Sequence, residues 1–231
     1  MTLAASGVDV RGMFDRIAPH YDQANRIMSM GIDMLWRRKA IAALIQDFSL
    51  NARFFDLGAG TLDGAIAILK QRPQAQVLAA DFARNMLTVG LKKKAASKIR
   101  AQVADGHALP YRTAVFDGVF SAFCVRNLVD VPKALTELRR VIRPGGRMVV
   151  LEFFKPSHRR LFWDGFYNAR VLPILGWVTT GDRAAYQYLP DSIAQFRTLP
   201  EFINDLRRAG FSKAIGYPLF PSGIASMVIG E

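Results

Sequence analysis

Residues 54–64 read Phe54-Phe55-Asp56-Leu57-Gly58-Ala59-Gly60-Thr61-Leu62-Asp63-Gly64, an apolar strand running into a glycine turn, and a second apolar run, 77–80, ends at Asp81. Gly58 and Gly60 lack a Cβ, so the backbone there turns sharply and comes close to a ligand. A carboxylate ending the second strand is placed to hold a ribose diol. The turn departs from the dinucleotide fingerprint G-x-G-x-x-G, because Asp63 occupies the last glycine position and Gly64 falls one place late. Asp56 also opens the turn with an acid. A helix N-terminus favours anions, so a pyrophosphate gains little beside that carboxylate, whereas a cationic methionine moiety gains from it. A glycine turn alone is also a plain strand-to-helix connection without a ligand. With Asp81 added, the pair points first to S-adenosylmethionine.

Outward from the turn the same alternation continues. Runs at 54–57, 77–80, 101–104, 116–122 and 147–153 read as strands, and 63–71, 83–94, 132–141 and 199–209 as helices, the last closed by Gly210. Strand, helix, strand in succession marks a parallel sheet. Pro144-Gly145-Gly146 reads as a turn, and two closing runs, 211–220 and 224–229, end the chain. Residues 11–48 have helical spacing, with Asn25 or Ser29 as caps and Gly31 as a break, which sets two or three helices ahead of the first strand. The chain thus divides into an N-terminal helical cover and substrate segment, 1–50, and a cofactor-binding domain, 51–231, with a lid-like insertion at about 157–198.

At 231 residues there is room for one α/β domain with a large core. The longest apolar runs, such as 171–178 and 148–151, fall far short of the ~20 residues that span a bilayer, and the first residues carry no secretory pattern. One cysteine, Cys124, fits a reducing cytoplasm and builds no disulfide framework. Three histidines without close acidic partners give no expectation of a metal site. The net charge of +12 calls for an anionic partner. Its clusters include Arg37-Arg38-Lys39, Lys92-Lys93-Lys94 and Arg139-Arg140 with Arg143, and each by itself reads as a solvated helix face. Between 157 and 180, Phe162, Trp163, Phe166, Tyr167 and Trp177 are interleaved with arginines. That pattern suits a lid over a hydrophobic substrate, a surface anchor, or an ordinary core helix.

The string Met13-Phe14-Asp15-Arg16-Ile17-Ala18-Pro19-His20-Tyr21-Asp22-Gln23-Ala24-Asn25, followed by Ser29-Met30-Gly31-Ile32-Asp33 and Trp36-Arg37, resembles the ubiquinone/menaquinone biosynthesis C-methyltransferases, the UbiE-type family. Val125-Arg126-Asn127, Leu151-Glu152-Phe153 and Tyr188-Leu189 extend the match to roughly residues 10–230. The resemblance implies an α/β, Rossmann-like class I methyltransferase, a seven-stranded doubly wound sheet with an antiparallel last strand and an N-terminal helical cover. It implies S-adenosyl-L-methionine as cofactor and a ring carbon of a prenylated quinol as acceptor. It sets the methionine end near Asp56, Gly58, Gly60 and Thr61, the ribose on Asp81, and the adenine by Phe82, Asp105 and Gly106. Three positions depart from the family. Leu62 replaces a glycine, so its side chain is set to crowd the methionine tail or reshape the turn. Ala122 stands where a cofactor-contacting serine is common, and Asp105 replaces a frequent asparagine.

Methyl transfer from a sulfonium is an in-line displacement, so the protein's work is alignment and exclusion of water. A quinol carbon is a poor nucleophile until a neighbouring hydroxyl gives up its proton, which calls for a proton acceptor and a phenolate stabiliser. Tyr21 and Asn127 read as positioning the ring, Arg126 as stabilising the oxyanion, and His20 or Asp22 as relaying the proton through water. Plainer readings stand beside these. A Tyr-Asp pair on an amphipathic helix is commonly a half-buried ring with a solvated carboxylate, and Arg126 is also a natural ion-pair partner. Glu152 is a second-tier candidate, His107 and His158 read as structural, and Cys124 as a small buried hydrophobe. The expected partners are a prenylated quinol or another hydrophobic small molecule and a transient anionic surface at the inner membrane, for an otherwise cytoplasmic protein. Nucleic acid is not expected, and a homodimer is left open. Two further readings remain: a methyltransferase for a different hydrophobic acceptor, and a cofactor-binding relative with weakened catalysis.

Overall fold

The computed structural model describes residues 9–156, 183–220 and 225–231. In chain order the elements are α1 (Val10–Ile17), α2 (Tyr21–Ser29), α3 (Ile32–Ile45), β1 (Arg53–Leu57), α4 (Asp63–Gln71), β2 (Gln76–Asp81), α5 (Arg84–Leu91), β3 (Arg100–Val103), β4 (Phe116–Ala122), α6 (Val131–Val141), β5 (Ile142–Phe153), α7 (Arg183–Gln195), α8 (Leu199–Arg208), β6 (Ala214–Pro218) and β7 (Ala225–Gly230). The segment 157–180, with His158, and Ile224 of the second closing run lie outside the described residues.

Successive side chains of a strand leave on opposite faces, so a strand that is apolar at every position must be buried on both. In β1, Phe54 enters one core and Phe55 the other; in β5, Val149 and Leu151 join the first while Met148 and Val150 join the second. Seven strands follow the order β3-β2-β1-β4-β5-β7-β6. β1 to β5 are parallel, and β7 runs antiparallel to both β5 and β6. This is the doubly wound sheet with an antiparallel last strand. The order reverses between β1 and β4, and their carboxyl ends, Leu57 and Ala122, open the crevice where such sheets bind ligands.

α3 and α4 cover one face, α6 and α8 the other. α3 is a layer helix, since Trp36, Ile41, Leu44 and Ile45 belong to the first core. Of the three N-terminal helices described, α1 and α2 form the cover over the strand ends. They have a small core of their own, in which Val10, Met13 and Ile17 meet Met86 of α5 and Tyr188 of α7.

Pro144-Gly145-Gly146 is not a free turn. β5 already begins at Ile142, which pairs with Phe116, and the register shifts between Phe116 and Gly118 to absorb the extra residues. Gly145 supplies a positive φ of 75° for this bulge, and a Cβ on Gly146 would come within 2.7 Å of the Asp117 carbonyl oxygen. Pairing with β4 therefore keeps the segment in the sheet. Nor are the basic clusters simply solvated: Arg139 donates to the Gly210 carbonyl, Arg140 pairs with Glu137 and Arg143 with Asp117.

Candidate active site

The glycine turn leaves β1 with Gly58 at φ 67° and Gly60 at φ 52°. A Cβ on Gly58 would sit 2.2 Å from Cys124 Sγ, so this glycine exists to let the β1 and β4 loops touch. Over Gly60 the nearest atom to such a Cβ is Tyr21 Cε1 at 3.9 Å, which leaves open space between the turn and the cover. Gly64 has a different purpose. A side chain there would meet Asp56 Oδ2 at 2.5 Å, so its absence makes room for the carboxyl under the first turn of α4. Burial pushes that carboxyl up to about 7, against the charge of Arg37 and a hydrogen bond from the Ala65 N–H. Asp56 Oδ2 is buried without a partner among the described residues.

Leu62 also holds a left-handed conformation, φ 69°, as the residue before α4. Its side chain is fully buried and packs where Gly90 of α5 offers no Cβ. It therefore points into the core instead of crowding the crevice, and the turn keeps its shape because α5 accommodates the isobutyl group.

Asp81 ties the turn to the second strand. Its Oδ2 accepts from the Gly60 N–H and its Oδ1 from the Ala83 N–H, both at 2.8 Å. Burial raises its carboxyl to about 6 despite these donors. Phe82 follows, half-buried, with Phe14 edge-on to it at 6.2 Å. Asp105 is exposed and holds His107 through Nδ1 at 2.5 Å, while His107 Nε2 accepts from the Asp130 N–H. This fixes the proton of His107 on Nδ1 and makes the ring a brace between two loops. Gly106 is buried against Leu57 and Leu128, and Ala122 ends β4 half-buried with no polar atom to offer.

A chain of charges clasps the cover to the turn. Thr61 Oγ1 donates to Asp22 Oδ1 at 2.5 Å, and Lys93 bridges Asp22 and Asp63 at 2.6 and 2.8 Å. Arg26 then bridges Asp63 and Asp33, each at 2.5 Å. Burial alone would raise the Asp63 carboxyl, but Lys93, Arg37 and Arg26 hold it below the ordinary value. Asp22 is thus a structural link between α2, the turn and the segment just after α5. Of the other residues of its string, His20 is exposed and hydrogen-bonds no described residue.

A second polar group lies after β4. Arg126 Nη1 pairs with Glu152 Oε1 at 2.7 Å and donates to the Phe123 carbonyl at 2.8 Å, while Nε donates to Ser192 Oγ. Glu152 is fully buried; burial raises its carboxyl, and the Arg126 charge with the Phe153 and Arg126 N–H groups opposes that. Arg126 Nη2 has no hydrogen bond with a described residue. Asn127 Oδ1 accepts from Tyr188 Oη at 3.0 Å, and its Nδ2 reaches the Phe123 carbonyl. Tyr21 senses the Arg126 charge, though burial is the larger influence and raises its phenol. Arg126 and Asn127 are therefore joined to Ser192 and Tyr188, two residues not among the candidates named from the sequence, and Tyr21 stands over Gly60 within reach of the Arg126 charge. The signals available for Tyr188 and Ser192 were the Tyr188-Leu189 and Ser192-Ile193 strings. A cavity of about 540 Å³ is lined by Arg126, Asn127, Tyr188 and Ser192, by the apolar Leu128, Val129, Val131, Pro132 and Phe196, and by the polar Asp130, Asp191, Gln195 and Arg197. Cys124 is buried and its thiol is pushed well up by burial, which removes it as a nucleophile.

Solved structures share this architecture. A S-adenosylmethionine-dependent methyltransferase from Thermotoga maritima is similar over 95% of this chain and 98% of its own, with a TM-score of 0.66 and 16% identity. Phosphoethanolamine N-methyltransferase 2 of Haemonchus contortus, solved with S-adenosyl-L-methionine, is similar over 80% of this chain and 38% of its own, with a TM-score of 0.60 and 21% identity. The fold is that of the class I S-adenosylmethionine-dependent methyltransferases. At the sequence level, the model of the ubiE/COQ5 methyltransferase family matches residues 2–231. The demethylmenaquinone methyltransferase of Thermus thermophilus is 40% identical over 223 residues, covering 95% of this chain and 99% of the relative. The ubiquinone/menaquinone biosynthesis C-methyltransferase UbiE of Geobacter sulfurreducens is 37% identical over 237 residues, covering 99% and 90%. The chain belongs to the ubiE/COQ5 methyltransferase family and is a S-adenosylmethionine-dependent enzyme.

The residues present fit that cofactor. The open space over Gly60, the unpartnered Asp56 Oδ2 beneath the turn and the carboxylate of Asp81 at the second strand end suit a molecule with a cationic amino-acid end and a ribose.

Proposed function

We propose that this protein methylates a ring carbon of a prenylated quinol of the ubiquinone or menaquinone series. The observation that carries the reading is the cavity to which Arg126, Asn127, Tyr188 and Ser192 offer polar groups for quinol oxygens, the rest of its wall mixing the apolar Leu128, Val129, Val131, Pro132 and Phe196 with Asp130, Asp191, Gln195 and Arg197. The names of the relatives point the same way. When bound, the cofactor supplies a methyl group already activated on a sulfonium.

The chain's own residues do the rest. Tyr21, standing over Gly60, closes the reacting space and aligns the ring. Arg126, held by Glu152, Ser192 and the Phe123 carbonyl, keeps Nη2 for the oxygen that becomes anionic as its proton passes to cavity water. Asn127, steadied by Tyr188, holds a quinol oxygen. Asp56, Gly58, Gly60, Thr61, Asp81, Phe82, Asp105 and Gly106 serve the cofactor. The test is incubation with S-adenosylmethionine and either demethylmenaquinol or a ubiquinol precursor lacking the ring methyl, read by mass spectrometry. A methylated product is expected, and Arg126→Gln should lower kcat by about 10²–10³. S-adenosylhomocysteine binding without transfer to either quinol would refute the acceptor class.

Such acceptors reside in bilayers, and the surface supports transient contact with an anionic one from the cytoplasmic side. Ile27, Met30, Met34, Leu35 and Phe220 are exposed, and Trp36 donates to the Phe220 carbonyl, which joins the two segments. Arg38 and Lys39 lie exposed on the same helix as Met34 and Leu35. Among the described residues no helix is long and apolar enough to cross a membrane. Co-sedimentation with phosphatidylglycerol vesicles that weakens with salt is expected, and Met30→Asp/Met34→Asp should abolish it. Equal sedimentation of that variant would refute this surface.

A further inference from the structure

Around the glycine turn the other basic side chains are committed within the fold. Lys93 is shared by Asp22 and Asp63, and Arg26 by Asp63 and Asp33. Arg37 of α3 is different. Its side chain is only 14% exposed, yet no nitrogen of its guanidinium hydrogen-bonds a described residue. Nε is buried without a partner. The nearest carboxylate oxygen, Asp33 Oδ2, stands 4.0 Å away and is already held by Arg26 at 2.5 Å. A planar cation largely removed from water with unfilled donors is costly until an anion completes it.

The side on which Arg37 lies identifies the anion. Asp33, 4.0 Å from the Arg37 guanidinium, is joined by Arg26 to Asp63 at the start of α4, so Arg37 stands beside the chain of charges that reaches the turn, and its charge acts on Asp56, Asp63 and Tyr21. The methionine end of the ligand is a zwitterion. The carboxyl groups of Asp56, Asp22 and Asp63 suit its cationic part and repel its carboxylate, and Arg26 and Lys93 are each already shared between two carboxylates, which leaves Arg37 as the cation best placed to offset this. We propose that Arg37 receives the α-carboxylate of the cofactor's methionine moiety, with Asp56 on the side of its ammonium. The assignment rests on the cofactor reading and adds the residue that anchors the amino-acid end.

The test compares S-adenosylhomocysteine with 5′-methylthioadenosine, which keeps the nucleoside and the thioether but lacks the amino-acid end. Both are titrated by calorimetry into the unmodified chain, Arg37→Gln and Arg37→Lys. The expected result is that Arg37→Gln weakens S-adenosylhomocysteine about 10- to 100-fold and changes 5′-methylthioadenosine less than about twofold, the range of a lost charge-assisted pair. Arg37→Lys should recover part of the loss, because it restores the charge without the fork. Unchanged S-adenosylhomocysteine binding by Arg37→Gln overturns the assignment. Equal weakening of both ligands also overturns it, since that is the mark of a structural role. Failure of the unmodified chain to bind S-adenosylhomocysteine would instead remove the cofactor reading, and the assignment with it.

Discussion

Asp56 offers a quantitative check on the site without any ligand. Its carboxyl titrates at about 7 in the folded chain against an ordinary 3.8, because it is buried under α4 with one oxygen unpartnered. The folded state therefore holds this proton more tightly than the unfolded state. Between about pH 4 and pH 7 the native protein binds the proton and the unfolded chain does not, so stability falls as pH rises through that window, and the contribution levels off above it. The slope is about 1.4 kcal/mol per pH unit for one group. Asp56→Asn removes it. Measured as urea midpoints and slopes at pH 5, 6, 7 and 8, the stability of Asp56→Asn relative to the unmodified chain should rise by about 2–3 kcal/mol between pH 5 and 7. It should then change by less than about 0.5 kcal/mol between pH 7 and 8. Asp63→Asn is the contrasting control, since Asp63 is held below its ordinary value and its stabilisation is lost only as pH falls through the acid range. Parallel stability profiles for Asp56→Asn and the unmodified chain from pH 5 to 8 would refute the buried, proton-holding carboxyl.

Three further outcomes follow from the packing. Arg126→Met should destabilise by about 3–5 kcal/mol by leaving the Glu152 charge buried and unpaired, and Arg126→Met/Glu152→Leu should recover most of that in chemical denaturation. Equal losses in the single and double variants would show that the pair is not what holds this region. Gly58→Ala, whose Cβ would meet Cys124 Sγ at 2.2 Å, should prevent stable folding by thermal melt, and Gly58→Ala/Cys124→Gly should restore part of it, the residue being left-handed strain of about 1 kcal/mol. Leu62→Gly should cost a net ~2–3 kcal/mol, because a lost core leucine outweighs relief of the positive φ, and should leave S-adenosylhomocysteine affinity within about twofold. Tighter binding of that ligand by about tenfold would mean that the leucine does crowd the cofactor.

What the sequence by itself determined is what depends on local periodicity. Alternation of the β1 and β5 side chains between the two cores follows from the period of two, and the helices from the period of 3.6. Gly58 and Gly60 announce the turn because only such residues take its dihedrals at no cost. Asp81 was legible for the same reason, as a strand end one helix further on. Tertiary structure decided the use of each charged and polar group, because those partners are remote along the chain. Arg26 meets Asp63 across 37 positions, Arg126 meets Glu152 across 26, and Tyr188 meets Asn127 across 61. No spacing rule links such residues. Hence Lys93 looked like one of three solvated lysines, Asp22 like a proton relay, and Leu62 like an obstruction. It took the packing of α2, α5 and the residues just after it against the turn to make them a bridge, a clasp and a core residue, and to leave Arg37 with no guanidinium hydrogen bond to a described residue.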